Sequence, residues 1–346
     1  MKKFIEILQD RVDLGFDEIR EAAVLLADPS VPDDDKATFL RALKEKGETG
    51  DELGYFAKAF LDLAVRPSVD LTGKPSIDIV GTGGDRLELI NVSTTCMFIL
   101  AAAGVTVAKH GNKGITSKSG AADVLEMLGI PVTCPVEQTS DCINTTGMGF
   151  LFAPLYHPAF RVIAPIRKRL AEEGIATIFN LLGPLLNPAK PETQLTGVFS
   201  PTILEKYAIA LSKIGRKSAW VVHGQVPNGS GMDEVSLLGE TIVHQVRGTY
   251  IGMFHLFPDQ LGFRTPTLHE LRGGDAKQNA QTLIDILANR DKSARRDLII
   301  INAAAALVVA GLAAKMTGGI ELANELLDSG ASLRKLEELR RFFQRD

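Results

Sequence analysis

The loop Gly81-Thr82-Gly83-Gly84-Asp85 directly follows a β-branched run, Ser76-Ile77-Asp78-Ile79-Val80. Glycines at the end of a strand let backbone N–H groups come close to an anion, so the segment reads as a phosphate-binding turn. It is neither a dinucleotide fingerprint nor a P-loop, because the glycine spacing and the Lys-Ser/Thr ending are missing. Asn91, Val92, Ser93 and Thr94 follow where the next helix should begin. A helix start offers N–H groups and its dipole to a phosphate. A plain N-cap is the commoner use of Asn91 or Ser93.

Three further segments carry chemistry. Ala108 to Glu126, AKHGNKGITSKSGAADVLE, places Lys109, Lys113 and Lys118 among Gly111, Gly114, Gly120 and the hydroxyls of Thr116, Ser117 and Ser119. Lysines beside hydroxyls and glycines suit a polyphosphate; the competing reading is a solvated loop, with His110 at the edge of the core. Asp233 and Glu234, in GSGMDEVS, are commonplace as adjacent surface carboxylates. In a chain that binds a polyphosphate they offer a Mg²⁺ anchor, since Mg²⁺ takes one or two carboxylates plus substrate oxygens and water. In FLFAPLYHPAFRVIAPIRKRL, His157, Arg161 and Arg167 surround an apolar stretch punctuated by Pro154, Pro158 and Pro165. Arg167 is either a surface cation on an amphipathic helix or a fork for a small carboxylate, which arginine suits better than lysine.

The elements that must position these residues fall into two groups. Residues 1 to about 68 show only helical periodicity, in FIEILQDRVDL, FLRALKEKG and FAKAFLDLAV. From Lys74-Pro75 onward the order becomes strand, loop, helix, strand, loop, helix. Strands are expected at SIDIV, at VTVAKHGN, near Ile130 to Thr133, at FLFA from 150, at SAWVVHG from 218 and at ETIVHQV from 240. Helices are expected over Ser93–Ala103 and Gly120–Leu128, and again in the C-terminal third. This order predicts an α/β fold with a mainly parallel central sheet. The division is a helical domain over residues 1–70 and a larger α/β domain over 71–346.

The 346 residues carry a net charge of −4, which argues against a nucleic-acid partner and leaves local donors or metal ions to bind a polyanion. Cys96, Cys134 and Cys142 lack metal-ligand spacing and read as reduced thiols. The N-terminus lacks the apolar core of a signal peptide, and the longest apolar run, Ala303 to Ala314, is too short to span a bilayer. A cytoplasmic protein with no membrane partner is expected.

GTGGD…NVST, KHGN…SKSGAADVLE, FAPLYHPAF, TIFNLLGPLLNPA and MDEVS, in this order and spacing, resemble the anthranilate phosphoribosyltransferases over most of the chain. The resemblance implies a nucleoside phosphorylase/phosphoribosyltransferase-like fold, with helices from about 160–176 packing on the N-terminal domain and a homodimer joined through the helical domains. It implies transfer of the phosphoribosyl group of phosphoribosyl pyrophosphate to the amine of anthranilate, in tryptophan biosynthesis. Mg²⁺, two ions per subunit, would be held by Ser93, Asp233 and Glu234. Substrate binding would fall on Gly81, Gly84, Asp85, Asn91, Val92, Ser93, Thr94, Lys109, His110, Gly111, Asn112, Lys113, Gly114, Ile115, Thr116, Ser117, Ala121, His157 and Arg167. Lys109 and Arg167 would be the catalytic pair, and anthranilate would meet Gly81, Asn112 and Arg167 near His110, Pro154 and His157.

This chain departs from the family pattern at Arg86-Leu87-Glu88-Leu89-Ile90, where a glycine usually follows GTGGD and a threonine and phenylalanine precede the asparagine. Leu89 thus lacks a hydroxyl for the sugar phosphate. Lys113 replaces an arginine, Ala121 a serine and Ala176 an arginine, and the path from Arg167 to TIFN is about three residues shorter. Competing functions are a pyrimidine nucleoside phosphorylase, the same transfer to another aromatic amine, and a non-catalytic relative that binds nucleic acid.

Overall fold

The computed structural model describes residues 1–114, 119–227, 229 and 231–344. The first residues form four helices, α1 (Lys2–Gln9), α2 (Phe16–Ala27), α3 (Asp33–Lys46) and α4 (Gly50–Asp62). Thr49 caps α4 by accepting from the Glu52 N–H, and Glu52 returns the bond to the Thr49 N–H, so two otherwise unpaired donors are satisfied. The apolar faces of these helices share one core with Ile163, Ile166 and Leu170 of helix Ala159–Glu172 and with Tyr207 and Leu211 of helix Leu204–Lys213. Helix Ala159–Glu172 lies against α2 and α3. The Arg169 guanidinium donates to Asp34 at 2.8 Å across that contact.

The remaining chain is built on an eight-stranded sheet: β1 (Ser76–Gly81), β2 (Thr106–Gly111), β3 (Met148–Phe152), β4 (Thr193–Gly197), β5 (Ser218–Gln225), β6 (Gly231–Met232), β7 (Thr241–Arg247) and β8 (Tyr250–Leu256). The order is β3-β2-β1-β4-β5-β7-β8, with β6 beside β5. Neighbours from β3 to β5 are parallel, while β6, β7 and β8 pair antiparallel. Helices α5 (Val92–Ala102) and α6 (Ala121–Met127) follow β1 and β2. The nearly all-apolar α5 is buried against β1, β2 and helix Ala294–Val309. The carboxyl ends of β1, β2 and β4 therefore open onto the start of α5, where such sheets bind ligands.

The strand expected near Ile130 to Thr133 does not form. Residues Ile130, Val132 and Cys134 are buried and their neighbours exposed, as in a strand, but among the described residues no ladder partner joins them. Pro131 removes a backbone donor there. Strands β4, β6 and β8 and the helices Val136–Thr146 and Leu204–Lys213 are additional to the sequence expectation. All three cysteines are buried and free.

Candidate functional site

The glycine turn and the acidic pair, 150 residues apart in the chain, meet at one point. The Gly83 N–H donates to Asp233 Oδ2 at 2.7 Å. Gly81 and Gly197, paired as the last residues of β1 and β4, leave the space that Asp233 fills. A Cβ on Gly81 would lie 2.3 Å from Asp233 Oδ2, and one on Gly197 would lie 1.5 Å from the Asp233 carbonyl oxygen. No side chain fits at either place, so the close approach itself dictates glycine. The segment after the pair is held from the other side. Asn302, fully buried, accepts from the Val235 N–H at 2.8 Å and donates to the Val235 carbonyl at 2.9 Å.

Three carboxylates crowd this corner. Burial raises the Asp233 pKa to about 7, helped by the charge of Asp85 and a hydrogen bond shared with it, while the Gly83 N–H opposes the shift. Burial also pushes Glu234 well above the usual carboxylate range; Asp233 adds to this, and Lys109 and the Ser93 N–H oppose it. Like charges this close seek a cation or a proton. Among the described residues no group of three or more His, Cys, Asp or Glu is arranged to hold a metal with protein ligands alone. The donor set fits a hard divalent cation that takes its remaining oxygens from substrate and water.

On β2 successive side chains point to opposite faces, and Lys109 and His110 use this to serve two different places. The Lys109 ammonium, 2% exposed, donates to the Ile79 carbonyl at 2.5 Å and to Ser93 Oγ at 3.0 Å. Burial lowers its pKa against the opposing charges of Asp78 and Glu234. His110 turns toward His157, their rings 5.2 Å apart. The His110 N–H donates to buried Asp78 at 3.2 Å, and Asn187 donates to the other Asp78 oxygen at 2.8 Å and to the Ala108 carbonyl at 2.7 Å. One buried carboxylate thus ties together β1, β2 and the segment that contains Asn187.

Beyond His110 lies a pocket of rings. His157 stacks at 5.4 Å on Phe160, which meets Phe179 edge-on at 5.4 Å. The Arg167 guanidinium sits 5.7 Å over the Phe179 ring. It is half-buried, and among the described residues it has no ion pair. Desolvation lowers its pKa, which marks a cation short of an anion. The buried His110 Nε2 has no hydrogen-bond partner among the described residues.

The His157 Nε2–H donates to the Leu186 carbonyl at 2.9 Å, and burial pulls the His157 pKa from 6.5 to about 4. The native state therefore holds it neutral while the unfolded chain takes up a proton below about pH 6.5. Stability from this source is complete above that pH and is lost as pH falls, by about 3 kcal/mol on reaching pH 4. His110, lowered by burial and by His157, acts in the same direction. Urea midpoints measured from pH 7 to pH 4 should fall less steeply for His157→Asn than for the parent chain; parallel slopes would refute the linkage.

The helical bundle domain of the glycosyl transferase family matches residues 2–64, and its α/β domain matches residues 73–333. An anthranilate phosphoribosyltransferase of Persephonella marina is 39% identical over 342 residues, covering 99% of this chain and 98% of its own. That of Exiguobacterium sibiricum is 40% identical over 346 residues, covering 100% of this chain and 99% of its own. The crystal structure of the Thermus thermophilus anthranilate phosphoribosyltransferase superposes with a TM-score of 0.90 at 37% identity over 99% of both chains. The chain belongs to the anthranilate phosphoribosyltransferase family. The Saccharomyces cerevisiae member, solved in complex with PRPP and Mg, superposes with a TM-score of 0.84 at 28% identity, covering 99% of this chain and 97% of that one.

Within this anthranilate phosphoribosyltransferase framework, the residues singled out by sequence divide by what their side chains do. Ser93, Lys109, Asp85, Asp233 and Glu234 converge at the ends of β1 and β2. His110, His157 and Arg167 line the ring pocket. Asn91, by contrast, is occupied structurally: it donates to the Ser119 carbonyl at 3.2 Å and accepts from Asn279 at 2.9 Å. Lys113 pairs with Glu126 at 3.0 Å, and the Asn112 side chain accepts from the Lys113 N–H at 2.8 Å. The Thr94 hydroxyl is buried and has no hydrogen-bond partner among the described residues. Gly111 ends β2, Gly114 donates to Asp123 at 2.9 Å and Ala121 opens α6. Ile115, Thr116 and Ser117, with Lys118, lie outside the described residues. Sequence reasoning missed Asp78, Asn187, Gly197, Asn279 and Asn302. Only Asp78 left a signal, as a carboxylate inside an apolar strand.

Proposed function

We propose that this chain transfers the phosphoribosyl group of phosphoribosyl pyrophosphate to the amine of anthranilate, giving N-(5-phosphoribosyl)anthranilate and pyrophosphate. The observation that carries the reading is the Gly83–Asp233 contact, which brings the glycine turn and the acidic pair to one place. The yeast relative, solved in complex with PRPP and Mg, supports it.

In this reaction the ribose C1–oxygen bond breaks, and its electron pair leaves with pyrophosphate. The anthranilate nitrogen, neutral at pH 7, supplies the pair for the new C1–N bond and then sheds a proton. Positive charge grows on the ribose and negative charge on the departing oxygens, so preorganised donors should provide most of the catalysis. The backbone N–H groups of Gly84 and Asp85 would face those oxygens, since those of Thr82 and Gly83 already donate to the Gly197 carbonyl and to Asp233. Lys109 would hold Ser93 and balance Glu234 from behind. Asp233, Glu234 and the Ser93 hydroxyl would hold Mg²⁺, two ions per subunit, which when bound would neutralise charge on the pyrophosphate oxygens. Arg167 would fork the anthranilate carboxylate while His157, Phe160 and Phe179 pack around the ring, turning the amine toward C1.

A homodimer joined through the helical domains is part of the proposal; Val12 and Val24, about half exposed there, support it. A cytoplasmic location is also proposed, and no helix among the described residues is long and apolar enough to cross a membrane. The net charge of −4 disfavours nucleic acid as a partner. The test is loss of anthranilate fluorescence with phosphoribosyl pyrophosphate and Mg²⁺. Consumption that requires all three components is expected; none at any substrate concentration would reject the reading.

A further inference from the structure

The loop leaving the glycine turn is held in a conformation that its own residues resist. Gly84 has φ +90°, Arg86 φ 56° and Glu88 φ 54°, while Asp85 and Leu87 between them stay on the ordinary side. For arginine and glutamate the left-handed region brings Cβ against the following carbonyl oxygen. The surroundings enforce it. Leu87 is buried and its N–H donates to Asp85 at 3.2 Å. The Glu88 carbonyl accepts from the Gly273 N–H at 2.9 Å, and Leu89 bridges Arg272. A Cβ on Gly273 would lie 2.9 Å from the Leu89 carbonyl, so this seat is closely packed. Backbone that alternates in hand gathers successive N–H groups into a concavity that suits an anion. Strain of this kind persists where surrounding structure over-determines it, most often at ligand sites.

Arg86 is exposed, and among the described residues it has neither an ion pair nor a hydrogen bond, although Asp85 precedes it. The two described lysines of the site are engaged, Lys109 with Ile79 and Ser93 and Lys113 with Glu126, while Arg167 lies over Phe179 in the ring pocket. Three carboxylates already stand where a polyanion must dock. Strain on the backbone and an unspent charge at its crest have one joint use.

We infer that residues 84–88 form an anion cradle and that Arg86 is the cation that closes it on a phosphate of phosphoribosyl pyrophosphate. The inference rests on the proposed function and adds a substrate-binding residue to it.

Arg86→Gly removes the strain and the charge together. It should leave the melting temperature undiminished, since glycine adopts a left-handed φ freely. The KM for phosphoribosyl pyrophosphate should rise about tenfold, the low end for loss of a charged hydrogen bond, with the KM for anthranilate unchanged. Arg86→Lys, which keeps the charge, should recover most of the loss. A purely structural arginine would instead lower the melting temperature. Calorimetry with Mg²⁺ and inorganic pyrophosphate in one arm, and with ribose 5-phosphate in the other, identifies the phosphate by which arm weakens. Unchanged affinity in both arms together with an unchanged KM overturns the inference. Should the parent chain bind these ligands without consuming anthranilate, the functional reading fails while the two arms still decide Arg86.

Discussion

Glu234→Gln is expected to cut turnover at saturating substrates by about 10²–10³-fold, the scale of losing one preorganised electrostatic group at a reacting centre. The argument starts from crowding. Asp85, Asp233 and Glu234 share a corner in which burial and mutual repulsion raise the pKa values of Asp233 and Glu234. Such a cluster is costly in the free protein and becomes favourable only when a cation enters. Glutamine keeps the shape and the acceptor oxygen but removes one charge, so the metal-free variant should melt at a higher temperature than the parent. Activity lost while stability is gained separates a functional acid from a structural one. The Mg²⁺ concentration for half-maximal rate should rise as well. Because Asp233 titrates near pH 7, the parent chain's Mg²⁺ requirement should grow as pH falls below that value, when a proton competes with the ion. An unaltered Mg²⁺ response in Glu234→Gln would remove this residue from the metal site.

The parts of this site that were legible in sequence are those whose chemistry is local. A β-branched run followed by glycines announces a strand with an open end, and β1 with its turn is found there. The hydroxyl-rich start of α5 follows the same logic. The meeting of Gly83 with Asp233 is not local, and no spacing rule connects residues 150 apart. Strand β4 was hidden for a different reason. Its Thr193, Gln194 and Thr196 are polar yet buried, because Thr193 donates to the Ser76 carbonyl and Gln194 to the Pro184 carbonyl and to Thr196. A periodicity reading counts such residues as exposed. The opposite error occurred at Ile130 to Thr133, where burial alternates but Pro131 precludes pairing. Asn302 and Asn279 were invisible because an amide that satisfies backbone from within a helix resembles any other polar residue in a string.

Arg167→Ala is expected to raise the KM for anthranilate by about 10- to 100-fold, the range for a charged hydrogen bond lost from a partly buried site. The KM for phosphoribosyl pyrophosphate should move by less than about twofold, because the ring pocket and the carboxylate corner are served by opposite faces of β2. Packing supplies the reason for specificity. The guanidinium lies over Phe179 and, among the described residues, has no acid to neutralise it, while desolvation already works against its charge. An anionic ring entering beside His157 and Phe160 would bring the missing partner. Removing the carboxylate from the substrate should then reproduce removal of the arginine. Aniline as acceptor for the parent chain should show about the same loss as anthranilate with Arg167→Ala, and combining the two changes should cost little more than either alone. Arg167→Lys should recover only part of the affinity, since an ammonium cannot fork onto two carboxylate oxygens while lying flat on a ring. Equal rises in both KM values, or fully additive losses with aniline, would place the anthranilate carboxylate elsewhere.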